Sequence, residues 1–499
     1  MDETKHPMKR VLRFLLVPPG PGESPGHLWP RWIFLRLLGV WFFSAFYSLW
    51  FQADGLIGPR GLLPAGDYLG DVARGLEGVK RLWYAPTIFW AGSSDGALLA
   101  LCAFGMAASL LLVLNVWPRW AVAACTIAFL SFIAVLQDFA SYQSDGMLLE
   151  AGLLSLFFAP AGFRPGLGAR TPPSRLALFA LTWLCFRIYF ESGVVKWKGH
   201  DPEWEHLTAM DHYYENGPLP SWLAWWAQQE LPHAFHRATA AFTLLLELVL
   251  CWAMLLTRRF KIALGLVLLP FQAGILLTSN YAFLNWLVFS LGLLLFDDRF
   301  LAHLGLRVPA EAPRPPGPAR LWIEGVVLSW QIYATYVLLL FGAVPWLPRG
   351  PAEVLRPWRL ANRYGLFAIM TRERDEIEFQ GSDDGVTWTP YRFRYKPQDP
   401  KEPPGLYAPY QPRFEWNLWF ASLGQWRQYP WVVRCEERLL EGSPEVLELF
   451  RGDPFHGKPP RKVRAVLSRY WFSTPAERRA TGAYWDRAPK GSYAPSLER

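Results

Sequence analysis

In the segment FRIYFESGVVKWKGHDPEW, Arg187, Glu191 and Lys196 interrupt an otherwise apolar run. Arg187 and Glu191 are four residues apart, so on a helix they share a face and can neutralise each other. Ionisable groups inside a bilayer are costly, so they either pair structurally or mark a functional path. A buried lysine whose pKa is lowered could abstract a proton. The alternative for Lys196 is an ammonium reaching towards the headgroups. The following loop carries His200, His206 and His212 among Asp201, Glu203, Glu205, Asp211 and Glu215. His212 and Glu215, three apart, could share a helix face and suit a metal. No second matched pair follows, so the expectation is a hydrogen-bonded loop capping a bundle, with no metal and no cofactor. Asp138, Asp145 and Glu150 near one apolar run, and Glu247, Gln272 and Asn285 in later ones, are weaker candidates. Asp145 and Glu150 could line the same cavity as Lys196, and interhelical hydrogen bonding is the alternative. The catalytic candidates are therefore Lys196, Glu191, Arg187, Asp145 and His212. The chain has no GxSxG, HExxH, P-loop or GxGxxG template in a suitable context.

The elements that must position these residues are apolar. Of 499 residues, 52% are hydrophobic and 18% charged, with 27 Trp and 34 Phe, which excludes disorder and low complexity. Five scattered cysteines without CxxC exclude a disulfide framework and a zinc knuckle. Nine windows approach the length of a spanning helix: 32–51, 97–117, 120–137, 147–163, 176–195, 238–256, 262–278, 281–296 and 321–345. The windows at 147–163, 262–278 and 281–296 are short enough to be re-entrant or buried helices. Threading all nine places more than twice as many Lys and Arg on the side of the N-terminus as on the other, which puts residues 1–31 in the cytoplasm. The loops at 52–96 and 196–237 and everything after 347 then lie outside. The net charge of +8 is spread between the runs, which fits membrane orientation and not nucleic acid. No cleavable signal peptide is expected, and residues 8–17 read either as a small surface helix or as a basic tail.

After Pro348 the long apolar runs stop. Alternation in RYGLFAIMT and DEIEFQGSDDGVTWTPYRFRYKP around Asp384–Gly385 predicts strands and a hairpin. RFEWNLWFASL and EERLLEGSPEVLELFR read as helices. The expected fold class is a multi-pass α-helical membrane bundle over 32–347 followed by a soluble α+β domain with an antiparallel sheet at 348–499. YAPYQPR (407–413) reads as a rigid aromatic loop, and its aromatic surface is either a packed core or a protein-binding face.

YFESGVVKW (189–197) and LTAMDHYYENGPLP (207–220) closely resemble the lipase maturation factor family. LIGPRGLLPAGDYL, SDGMLLEAG, RYGLFAIMT, EIEFQGSDDGVTW and PRFEWNLWFASL resemble its blocks in order along nearly the whole chain. The resemblance implies a membrane factor that assists maturation of secreted proteins, lipases in animal members, with an extracytoplasmic C-terminal domain. Tyr410, Trp416 and Trp419 are then the candidate client contacts, and the partners are the lipid bilayer and a secreted client, which the resemblance implies is a lipase. The membrane would be that of the endoplasmic reticulum in a eukaryote and the cytoplasmic membrane in a bacterium. Missing N-glycosylation sequons, a C-terminus that is no retention signal and the compact length favour the bacterial case. SGVVKW is more distantly similar to vitamin K-dependent carboxylases and horizontally transferred transmembrane (HTTM) domains, whose proposed base falls at Lys196. The histidine those carboxylases carry appears here as Asp145, which weakens the alternative of a membrane enzyme acting on a lipid, quinone or protein.

Overall fold

The computed structural model describes residues 14–17, 26–140, 142–309, 311–314, 316–340 and 343–499. Most of the stretch at 8–17 lies outside the described residues. Each of the nine apolar windows holds a helix: α1 (Leu28–Trp50), α2 (Asp95–Val113), α3 (Pro118–Ile133), α4 (Gln143–Phe158), α5 (Arg175–Lys198), α6 (His233–Leu248), α7 (Arg258–Thr278), α8 (Leu284–Gly292) and α9 (Pro318–Leu339). Tighter 3-10 turns continue α6 to Leu255 and α8 to Leu295. Local chemistry sets the starts. Ser94 and Ser174 cap α2 and α5 by accepting from Ala97 N and Ala177 N, and Pro118 and Pro318 open α3 and α9.

Among the described residues five helices are long and apolar enough to cross a membrane: α1, α2, α5, α6 with its extension, and α7. The expected count of about nine spans is not confirmed. α3 and α8 are apolar but shorter, α4 stops at Phe158 ahead of Pro160, and α9 has the length but is not apolar enough. α5 is the central helix, with 78% of its apolar window buried, against 28% for α6 and for α7. Helices that apolar with their side chains facing outwards are stable only where lipid replaces water.

The tail carries an antiparallel sheet of order β2-β1-β3-β4, built from β1 (Arg374–Ser382), β2 (Thr389–Pro390), β3 (Lys462–Phe472) and β4 (Trp485–Ser492). β5 (Leu497–Glu498) pairs with β3. The expected hairpin forms, with Gly385 at φ +75 and Asp384 Oδ1 accepting from Val386 N and Thr387 N. β1 pairs mainly with β3, placing Ile377 opposite Leu467 and Phe379 opposite Ala465. The two segments expected to extend the sheet do not. At 393–396 the backbone N–H groups of Arg394, Tyr395 and Lys396 donate to the Glu415 carboxylate. RYGLFAIMT gives Tyr364 N to Glu191 and Leu366 N to Ser192, so it lies on α5 instead of in a ladder. The first expected tail helix forms as α10 (Arg413–Ser422). The second, EERLLEGSPEVLELFR, is split: its first residues end α11 (Pro430–Glu441), and Gly442 at φ +70 breaks the helix before a short turn at Pro444–Leu447. Buried side chains of the bundle and the tail join in one continuous hydrophobic cluster.

Candidate functional site

α5 carries two polar clusters on its buried length. The first centres on Glu150 of α4. Arg187 Nη2 donates to Glu150, and its Nη1 lies 3.8 Å from Glu191 Oε1, so the expected i, i+4 pair forms as the weaker arm of a larger set. Gln331 of α9 donates to Glu150 at 2.6 Å, and Tyr364 OH at 2.9 Å. Asn362 Nδ2 donates to Glu150 at 3.2 Å, and its carbonyl accepts from Arg187 at 2.9 Å. The side chains of Arg187, Glu150 and Glu191 are fully enclosed. Such a set ties three helices and the first turn of the tail into one geometry, because removing a partner leaves an uncompensated buried charge.

The second cluster is one turn further along. Lys196 is 2% exposed and does not reach for the headgroups. Its Nζ donates to both carboxylate oxygens of Glu247 on α6, at 2.9 and 2.8 Å, and lies 5.1 Å from the ring centre of Trp204. The pair stands in the wall of a cavity of about 350 Å³ between α5, α6, α7 and the loop helices 209–216 and 222–230. The lining is mostly apolar, with Trp226, Phe235 and Phe271 among its residues. Its polar side is a relay in which Asn285 donates to Gln272 at 2.8 Å and Gln272 donates to Tyr189 OH at 2.6 Å. A general base must offer a lone pair to substrate. Lys196 is engaged as a donor to Glu247, which is the geometry of a structural ion pair beside an apolar pocket.

Asp145 and His212 do not line this cavity. Asp145 receives both arms of Arg413 from α10, at 2.8 and 2.7 Å, with neither side chain exposed. Arg413 also donates to Phe139 O, and Tyr142 stacks on Trp416 with ring centres 5.0 Å apart. His212 Nε2 lies 3.5 Å from Glu203, which also binds Arg372 and Thr208. Burial works to raise Glu203, but the hydrogen bonds from Thr208 and Arg372 hold it below the usual carboxylate range. Glu215 accepts from Phe472 N at 2.7 Å, away from His212, and burial raises its pKa. Among the described residues no three potential metal ligands come together.

These contacts form a seam between the tail and the ends of the helices that face it. Arg374 of β1 donates to the carbonyls of Glu215, Gly217 and Pro218, so the loop 199–220 is clamped and acts as the expected cap. Asn280 Oδ1 accepts from Tyr407 N and Ala408 N, and Gln52 donates to Gln411 O and Tyr410 OH. Of the candidate client contacts, Trp416 is 5% exposed and belongs to this packing, Tyr410 is half-buried in it, and Trp419 is half-buried against Phe420. Arg374, Arg413 and Tyr364 escaped the sequence reading. One signal was available: Asp145 has no cation within its own run, so its partner had to come from a distant block.

The comparisons agree with this two-part build. A family model described as the lipase maturation factor transmembrane domain matches residues 29–303, and one described as the lipase maturation factor C-terminal domain matches 360–495. Lipase maturation factor 1 of Bos taurus is 33% identical, over 97% of this chain and 93% of its own length. The Homo sapiens factor 1 is 32% identical over 96% and 90%, and lipase maturation factor 2 of Mus musculus is 29% identical over 94% and 83%. No solved structure matches.

Proposed function

The chain belongs to the lipase maturation factor family, and on that footing we propose that it is a membrane factor assisting the folding of secreted lipases. The observation that carries this reading is the seam. Bundle and tail share one core and are cross-linked by buried charges, so the tail is a fixed platform at the outer ends of the helices. A folding client needs a surface held at the site of translocation, and a rigidly seated domain supplies one at low entropic cost. Trp419, half-buried on α10 beside Phe420, is the proposed client contact, while Trp416 and Tyr410 hold the platform in place. All nine helices cross or enter the membrane in this reading. The N-terminus is cytoplasmic and the tail faces the lumen of the endoplasmic reticulum in a eukaryote, or the outer side of the cytoplasmic membrane in a bacterium.

The test is co-expression with a secreted homodimeric lipase in cells lacking their own factor, with secreted lipase activity as the readout. Activity that depends on the chain and falls in Trp419→Ser without loss of the membrane protein supports the proposal. Full lipase activity in the absence of the chain overturns it. The alternative of a lipid-directed enzyme with Lys196 as base draws on the cavity alone, and the Lys196–Glu247 pair argues against it.

A further inference from the structure

We propose that the cleft formed by Arg349, Arg356, Arg359 and Arg363 binds the anionic headgroup of a membrane phospholipid. The cleft, about 1070 Å³, lies between the tail's first segment and the outer ends of α3 and α9. Four arginines line it, and Glu353 is its sole acidic residue. Arg349 is exposed and its side chain has no partner among the described residues. Among the described residues Arg356 meets Glu353 alone, at 3.5 Å and with both side chains largely in solvent, a contact worth little. Arg359 reaches Ala140 O at 3.4 Å. Arg349 and Arg356 bring positive charge that the one exposed Glu353 does not balance, and the guanidinium fork matches a phosphate in shape as well as in charge.

The level of the cleft selects the source of that phosphate. Ile133 and Ala134 at the end of α3, and Val337 and Leu338 at the end of α9, form its apolar part. It therefore straddles the boundary where helices leave the hydrocarbon, the depth at which a phospholipid places its phosphate above its chains. Tyr68 and Tyr84 add aromatic rings of the kind that sit among headgroups. The short helix Val79–Tyr84 beside it carries Lys80 and Arg81 and exposes Val79 at 78%, Leu82, Trp83 and Tyr84. Trp83 packs on Trp358 with ring centres 5.4 Å apart, which joins this helix to the arginine segment. Exposed apolar and basic residues on one short helix make an interfacial anchor. An acidic peptide would use the arginines but gain nothing from the apolar walls. The inference stands apart from the client reading and concerns how the platform meets the bilayer.

The test is a titration of the full chain in mild detergent with palmitoyl-oleoyl phosphatidylglycerol, the matching phosphatidylcholine, inorganic phosphate and a Glu-rich peptide. Phosphatidylglycerol is expected to bind at least about tenfold more tightly than phosphatidylcholine, and the preference should shrink at high salt. The double variant Arg349→Gln, Arg356→Gln should weaken phosphatidylglycerol about thirtyfold, at roughly fivefold per arginine. Glu353→Gln should tighten it, a change of opposite sign that misfolding cannot imitate. Equal affinity for the two lipids, unchanged in these variants, overturns the proposal. So does inorganic phosphate or the peptide binding as tightly as phosphatidylglycerol.

Discussion

The seam and the cavity use the same kinds of residue for opposite ends. At the seam, Asp145 meets Arg413, Glu150 gathers four donors and Arg374 caps three carbonyls, and each charged side chain is buried. At the cavity, Lys196 and Glu247 close on each other and leave about 350 Å³ of apolar space beside them. A buried charge pair therefore does not by itself mark chemistry in this fold. The seam pairs fix where one domain sits on another, and the cavity pair neutralises two charges in the wall of an apolar space.

The largest expected effect breaks the seam. Arg413→Ala leaves Asp145 buried without its cation, a loss of about 3–5 kcal/mol by the usual cost of an orphaned buried charge. Thermal unfolding in detergent should fall accordingly, and proteolysis near 343–363 should accelerate. A wild-type melting curve would remove Asp145–Arg413 from the seam. At the cavity the contrast is a double replacement. Lys196→Met with Glu247→Met removes both charges at similar volume and should be neutral or stabilising by roughly 1–4 kcal/mol. Lipase maturation should survive it. Loss of maturation in a well-folded double variant would restore a chemical role for Lys196.

How far the sequence foretold this comparison depends on the range of the contacts. The nine helices, the Asp384–Gly385 hairpin and α10 were legible because periodicity and turn chemistry are local. Arg187–Glu191 was legible because it is an i, i+4 pair. Glu150–Tyr364, Asp145–Arg413 and Arg374 on the 215–218 carbonyls join positions more than 150 residues apart, and no spacing rule reaches them. The same applies to the sheet, where β1 looks for its partner in β3, far beyond the hairpin. RYGLFAIMT alternates like a strand, but four of its N–H groups are taken by the side chains of Glu191, Gln143, Ser192 and Asp201.

One more buried carboxyl sharpens the comparison because it has no cation at all among the described residues. Glu436 on α11 is fully buried, and burial, reinforced by Glu437, pushes its pKa from 4.5 up to about 8. The folded chain then holds a proton that the unfolded chain releases. The stability this adds is complete below about pH 4.5 and is lost as pH rises through 8. Glu415, pushed up to about 7 by burial against its three backbone donors, slopes the same way. Melting temperature followed from pH 5 to 9 should decline, and Glu436→Gln should flatten the decline. Parallel profiles for the two proteins would place the proton elsewhere.

The smallest effect on stability should come from the face that the seam leaves open. Trp419 stands one turn beyond Trp416 on the same helix, yet Trp416 is locked against Tyr142 while Trp419 keeps part of its ring in solvent. A substitution outside buried networks costs within about 0.5 kcal/mol, though a half-buried ring sits at the upper edge of that class. Trp416→Ala, by contrast, empties a packed site and should cost about 3–5 kcal/mol. If the two positions serve the roles assigned to them, Trp419→Ser lowers secreted lipase activity with a nearly unchanged melting curve. Trp416→Ala lowers both together. A Trp419 variant with full activity would move the client contact off α10 and leave that helix as a part of the seam alone.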